Sequence, residues 1–277
     1  MKIVRSIPDL KAARRTMQGS LGCVPTMGYL HEGHLSLVRR AKAENDNTAV
    51  SIFVNPTQFL PNEDFKTYPR DERRDLTLLE KEAVDLVFLP EVRDMYSEDH
   101  RTFVIIEGLS DVLEGAIRPG HFRGVATVVA KLFNLMEPTG AYFGQKDAQQ
   151  VLVIKKMVVD LNMNLKIIAC PTIREEDGLA MSSRNVYLNP DERRKARIIP
   201  QALLAARELW LAGERNADIL RHRMRQMIEG VAGARIDYVS VADPETLAEL
   251  GQDTRAALAS LAVKFGRTRL IDNVILD

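Results

Sequence analysis

The sequence predicts an α/β protein: a parallel sheet crossed by helices, followed by a smaller α+β part. Three observations carry this. Short apolar runs such as 48–54 (TAVSIFV) alternate with amphipathic helical stretches, as strands buried on both faces require. A strand, glycine loop, helix pattern occurs at 21–45 and again at 141–161. Beyond Asn189-Pro190 the order changes to helices and then strands, the α+β signature. With 277 residues the chain can hold two domains, expected as 1–173 and 174–277.

Taken in order, 1–5 reads as a strand and 7–17 as a helix with Pro8 near its start. The apolar strand 21–24 is expected to end at Pro25, which cannot donate to a central ladder. Thr26, Met27, Gly28 and Tyr29 form a loop whose glycine permits a tight path. From Leu30 onward Leu37, Val38 and Ala41 recur at helical spacing, which puts His31 and His34 on one face of the first turn. Strand 48–54 completes a right-handed crossover unit. Ligands bind beyond the carboxyl ends of such strands, so the loop 55–59 (NPTQF) should face the histidine helix.

Helix 71–83 buries Leu76, Leu79 and Ala83, and 85–89 is a buried strand. A further strand is expected at 102–107, a charged glycine–proline loop at 118–124, and an apolar helix at 125–136. Strand 141–143 leads through Gly144, Gln145, Lys146 and Asp147 into helix 148–161, with Asp147 as N-cap and Gln150 about one turn in. Strand 165–169 precedes a polar loop, 174–185. One long helix over 191–211, a second over 217–231, strands 235–241, 256–263 and 269–276, and a short helix at 244–250 complete the chain.

Composition narrows the function. Lys plus Arg and Asp plus Glu are both 38, so the net charge is zero, whereas a nucleic-acid binder usually shows a basic excess. Only Cys23 and Cys170 occur, with no C-x-x-C pair, which fits a reducing compartment. The first residues lack the apolar stretch of a signal peptide, and no run reaches membrane-span length, so a cytoplasmic location is expected. The dinucleotide fingerprint G-x-G-x-x-G is missing, which disfavours NAD.

Two imidazoles beside the free N–H groups of a helix start suit a phosphate-sized anion. The same pair also suits a surface role or two metal ligands, although the zinc-hydrolase pattern is H-E-x-x-H and this chain has H-E-G-H. Lys146 follows the second glycine turn as a point charge for phosphate. Ser182, Ser183 and Arg184 form a donor cluster suited to phosphate, although on these residues alone a flexible interdomain linker is the favoured reading. The amides of Asn55 and Gln58 can hold a polar substrate or simply line a proline turn.

Together PTMGYLHEGH (25–34), VNPTQF (54–59), YFGQKDAQQ (142–150) and MSSRNVYL (181–188) resemble the pantothenate synthetase family, in its order and spacing. YPRD and RPGHFRGV extend the resemblance over most of the first 190 residues. More distantly, the H-x-G-H helix and the serine loop resemble the HIGH and KMSKS elements of class I aminoacyl-tRNA synthetases and nucleotidylyltransferases, with Arg184 where those have lysine.

The resemblance implies a Rossmann-like first domain that binds ATP and pantoate, and a pantoyl adenylate that β-alanine attacks to give pantothenate and AMP. It implies an ATP site of Met27, Gly28, Tyr29, Leu30, His31, Glu32, Gly33, His34, Gly144, Gln145, Lys146, Asp147, Ile173, Met181, Ser182, Ser183 and Arg184, with Ile173 against adenine. Within it His34, His31, Lys146, Ser182, Ser183 and Arg184 are the catalytic groups. Gln58 and Gln150, assisted by Asn55, would hold pantoate, and Asp75 would touch an Mg²⁺ ion carried mainly by phosphates and water. A homodimer is implied, with no nucleic-acid or membrane partner, and 174–185 is expected to close over ATP. The alternative is a nucleotidylyltransferase of the same superfamily acting on another small substrate; a tRNA-synthetase-like module and a non-catalytic interaction protein fit less well.

Overall fold

A computed structural model describes residues 1–252 and 255–277. Its contacts divide the chain into two compact units, Met1–Gln145 with Gln149–Pro171, and Lys146–Ala148 with Thr172–Asp277.

The first unit contains, in order, β1 (Lys2–Val4), α1 (Ile7–Thr16), β2 (Leu21–Thr26), α2 (Glu32–Glu44), β3 (Asn47–Ile52), α3 (Glu72–Lys81), β4 (Leu86–Phe88), α4 (Val92–Met95), α5 (Glu114–Ile117), α6 (His121–Met136), β5 (Gly140–Gly144), α7 (Ala148–Asp160) and β6 (Lys166–Cys170). The strands form one sheet in the order β1-β4-β3-β2-β5-β6, and every pair is parallel. Leu10, Phe88, Met136, Phe143 and Ile154 belong to one apolar cluster, fed by α1, α6 and α7. Val24, Leu30, Val38, Leu79 and Val87 belong to another, fed by α2 and α3. The inner strands β2, β3, β4 and β5 are therefore buried on both faces, which is why they read as continuous apolar runs.

β2 continues through Pro25 to Thr26 instead of stopping before the proline. The reason lies in the alternation of the ladder. Leu21 O accepts from Thr139 N on the β5 side, and Thr26 O accepts from Phe53 N just past β3. Odd-numbered residues thus face β5, and pairing with β5 is confined to Gly22 and Cys23. The missing donor of Pro25 points where the ladder has already ended.

Three other expectations change. Segment 102–107 has strand alternation, with Val104 and Ile106 packed into the core and Ile105 66% exposed, but it joins no sheet. Its Val104 N–H goes to the Thr127 hydroxyl of α6 instead (3.0 Å). α6 begins at His121, not 125, because Gly120 at φ 83 supplies the left-handed turn that starts it. α7 is entered through a 3-10 turn, Gln145–Asp147, so Asp147 lies inside helical backbone rather than acting as an extended cap.

The second unit has α8 (Pro190–Ala196), α9 (Ile198–Leu211), α10 (Ala217–Glu229), β7 (Ala234–Ala242), β8 (Ala257–Phe265) and β9 (Thr268–Leu276). The antiparallel sheet runs β7-β8-β9 and packs Val241, Leu261 and Val263 with Leu203, Trp210, Leu220 and Met224 of α9 and α10. The single helix expected over 191–211 is two helices, because Pro200 has no N–H to give Ala196. Residues 244–250 are turns rather than a helix: Asp243 Oδ1 accepts from Glu245 N, Thr246 N and Thr246 Oγ1, which diverts the backbone from helical bonding.

Candidate active site

The crossovers β2-α2-β3 and β5-α7-β6 run in opposite directions from the centre of the sheet, so the strand order reverses between β2 and β5. β2 and β5 pair through Gly22↔Gly140 and Cys23↔Ala141, and both glycine loops leave the carboxyl ends of these two strands at the switch point.

The loop after β2 is held by a buried carboxylate. Asp75 of α3 accepts Tyr29 N and Leu30 N, each at 2.7 Å, and is 1% exposed. Gly28 at φ 81 and Tyr29 at φ 50 make the tight turn, and a Cβ on Gly28 would meet Ile52 at 2.9 Å and Asp75 at 3.0 Å. Burial raises the Asp75 pKa, opposed by those two N–H bonds and by Arg74. Asp75 is thus a brace for the loop, each of its oxygens accepting one main-chain N–H.

The brace delivers the chain to α2, whose N-cap is His31 and whose third residue is His34. The helix starts two residues later than Leu30, yet the imidazoles come together, with ring centroids 4.0 Å apart. His34 Nδ1 accepts from His31 N (3.3 Å), so a neutral His34 ring carries its proton on Nε2. Glu32 pairs with Arg39 along the outside of α2.

Met27 also meets the loop after β3: Gln58 Nε2 lies 3.4 Å from Met27 Sδ. Asn55 caps the 3-10 turn Pro56–Gln58. Its Oδ1 accepts from Thr57 N, Thr57 Oγ1 and Tyr96 OH, while its Nδ2 donates to Gln58 Oε1 and Gly124 O. Both donor hydrogens of Asn55 are thus used, one of them on Gln58, and the residue is 1% exposed. Gly124 lets α6 approach, since a Cβ there would lie 2.4 Å from Thr57 O.

A relay behind Gln58 is absent from the sequence expectations. Glu63 accepts two bonds from Arg118 (2.5 and 2.7 Å), Arg118 Nη1 lies 3.1 Å from His121 Nε2, and His121 Nδ1 lies 2.8 Å from Gln58 O. A carbonyl only accepts, so Nδ1 holds the ring proton and Nε2 accepts from Arg118. Burial pushes the His121 pKa down to about 4, and the Arg118 charge adds to the effect. The signal was visible in RPGH, whose basic pair at i and i+3 sits before an apolar helix. Gln150, in the first turn of α7, is half-buried, while its neighbour Gln149 is buried and bonded to Leu109 O, Val112 O and Glu114 N.

Gly144 and Gln145 belong to the first unit, and the remaining site residues to the second. Lys146 pairs with Asp147 at 3.6 Å and its side chain is 19% exposed. Residues 174–185 are more ordered than a polar loop implies: Arg174 bridges Ala180, Met181 N donates to Ile173 O (3.0 Å), and Gly178 at φ 87 turns the hairpin. Arg193 ties Glu175 and Asp177 to α8. Ser182 caps the 3-10 turn Ser183–Tyr187, accepting from Arg184 N (3.3 Å), and Ser183 is buried. The site residues are therefore divided between the two units. Among the described residues no group of three His, Cys, Asp or Glu side chains can hold a metal ion.

The doubly wound sheet with paired imidazoles at its switch point, followed by a small antiparallel sheet, defines an α/β protein of the nucleotidylyltransferase-like kind. The sequence model described as Pantoate-beta-alanine ligase matches residues 2–275. The chain belongs to that family of ligases. It is 60% identical over 277 residues to a pantothenate synthetase of Roseiflexus sp. (strain RS-1), covering 100% of both chains. It is 57% identical over 280 residues to the pantothenate synthetase of Acetivibrio thermocellus, again covering 100% of both. The crystal structure of pantothenate synthetase from Thermus thermophilus matches with a TM-score of 0.96 at 48% identity, covering 99% of each chain. The pantoate-beta-alanine ligase from Francisella tularensis, complexed with beta-gamma ATP and beta-alanine, matches with a TM-score of 0.82 at 37% identity, covering 99% of this chain and 97% of that one.

Proposed function

We propose that this chain condenses pantoate with β-alanine by way of a pantoyl adenylate, with ATP as the activating substrate. The observation that carries the reading is the His31–His34 pair, 4.0 Å apart at the start of α2, in a chain of this family.

In the first step a pantoate carboxylate oxygen attacks the α-phosphorus of ATP, and the bond to pyrophosphate breaks. Positioning and charge stabilisation dominate such a step. His31 and His34 donate to phosphate oxygens, His34 from Nε2, and the main-chain donors at the start of α2 add a favourable field of about 0.3–1 kcal/mol. Lys146 meets the charge that grows on the leaving pyrophosphate, while Ser182, Ser183 and Arg184 hold the phosphate tail. Residues 27–34, Gly144, Gln145, Asp147, Ile173 and Met181 line the nucleotide. Gln58, fixed by Asn55 and His121, and Gln150 hold the hydroxyl and carboxylate groups of pantoate. In the second step the amine nitrogen of β-alanine attacks the acyl carbon, AMP leaves with its bridging oxygen, and the amine loses a proton. Activation is required because a free carboxylate is a poor acyl donor.

Mg²⁺ fits this site as an ion carried by the triphosphate and water, with neutralisation of phosphate charge as its contribution. The two cysteines are free and buried, which fits the reducing cytoplasm. For assembly we favour a homodimer that pairs segment 102–107 of two copies, because this extended, alternating segment lacks a ladder and exposes Phe103 and Ile105.

The test is pantoate-dependent exchange of pyrophosphate into ATP. His34→Ala and Lys146→Ala should fold and slow exchange by on the order of 10² to 10³, the range for loss of one charge-stabilising donor. Wild-type exchange in both variants would overturn the assignment.

A further inference from the structure

Lys146 follows β5 in the chain, yet its contacts place it in the second unit with the C-terminal sheet. The link is Asn273 of β9. Its Nδ2 donates to the main-chain O of Lys146 at 2.8 Å, across 127 residues of sequence, and Asn273 is 5% exposed. The adjacent Asp272, 2% exposed, accepts two bonds from Arg174 (2.6 and 3.1 Å), and its Oδ1 accepts Asn273 N (2.8 Å). Two neighbouring buried polar residues interrupt the apolar run of β9, Leu270-Ile271-Asp272-Asn273-Val274-Ile275-Leu276. Buried amides are retained at a cost unless their bonds are made, and this one is made to the residue before Asp147.

We infer that Asn273 is a positioning residue for Lys146, so that strand β9 sets where the lysine ammonium sits during adenylate formation. The inference rests on the role proposed above for Lys146. A side-chain ammonium at the end of four methylenes moves with its own main chain. A carbonyl anchored at 2.8 Å therefore confines where the cation can stand. Asp272 secures the other side of the arrangement by holding Arg174 at the foot of the hairpin that leads to Ser182, Ser183 and Arg184. The C-terminal sheet thereby orders the groups assigned to the phosphates.

A double-mutant cycle tests this, with Lys146→Ala, Asn273→Ala and the double variant compared by pantoate-dependent pyrophosphate exchange and thermal unfolding. Asn273→Leu, which keeps the volume and lacks the donor, serves beside Asn273→Ala where the smaller side chain impairs folding. If Asn273 acts through Lys146, either Asn273 variant lowers kcat of exchange about tenfold and leaves KM for pantoate within twofold. It then adds nothing once Lys146 is alanine. Effects that multiply in the double variant, or a normal kcat in both Asn273 variants, overturn the inference. Unchanged exchange in Lys146→Ala alone would instead remove the reading of the lysine on which the inference rests.

Discussion

Arg174 grips Asp272 with two bonds of 2.6 and 3.1 Å, and the carboxylate side chain is completely buried while the arginine is 33% exposed. The pair is asymmetric. Removing the arginine strands a buried charge, whereas removing the carboxylate leaves a cation that can reach water.

Arg174→Ala should therefore destabilise the fold by about 3 kcal/mol, the lower end for breaking a buried pair, given the partial exposure of the arginine. Burial already raises the Asp272 pKa above 3.8, with Arg174 opposing it, so loss of Arg174 raises it further. A carboxylate with a raised folded pKa favours the native state when protonated. The deficit of the variant should thus be small near pH 4 and grow as pH rises toward neutrality. Chemical unfolding of both proteins across that range checks the sign; a deficit that shrinks with rising pH refutes it.

Asp75 gives a second prediction. Asp75→Asn keeps the shape but can accept only one of the Tyr29 and Leu30 N–H groups, at a cost of about 1–3 kcal/mol for the donor left over. Exchange activity should fall while the Mg²⁺ concentration for half-maximal rate stays unchanged. A shift of that concentration upward by tenfold would identify Asp75 as a metal ligand.

His121 titrates in the opposite sense. Its folded pKa of about 4 lies below the ordinary 6.5, so only the unfolded chain gains a proton between these values. Stability is complete above about 6.5 and falls as pH drops toward 4, by at most on the order of 3 kcal/mol. His121→Asn retains a donor for Gln58 O without titrating in this window, and its unfolding curve should lose that component of the slope. An identical slope in both proteins would show that His121 does not contribute it.

The architecture was legible because the parallel strands advertise themselves as apolar runs and the helices as 3.6-residue repeats. Several failures came from bonds to distant partners that no local pattern encodes. Segment 102–107 has the alternation of a strand, but Thr127 takes the Val104 N–H. Pro25 looked like a strand end because the sequence does not reveal which side of β2 loses its neighbour. The histidine helix was readable, yet the tasks of Asp75, Asn55, His121 and Asn273 depend on which main-chain groups fold back onto them. Residue type alone cannot assign those.

The proposed pairing of copies gives a fourth prediction. Ile105→Glu places a charge on the exposed row of segment 102–107, where Ile105 is 66% exposed and contributes little to the core. Light scattering should find the wild type at twice the chain mass of 31.1 kDa and the variant at that mass, still unfolding cooperatively. A dimeric variant would place the interface elsewhere.

Passage of the acyl group through an adenylate is tested most directly by an isotope experiment. Pantoate labelled with heavy oxygen in both carboxylate positions is incubated with ATP and β-alanine, and the products are read in one mass spectrum. Attack on the α-phosphorus followed by amine attack on carbon transfers one labelled oxygen to AMP and leaves the other in the amide product. Label in inorganic phosphate, or AMP free of label beside labelled pantothenate, would contradict the account.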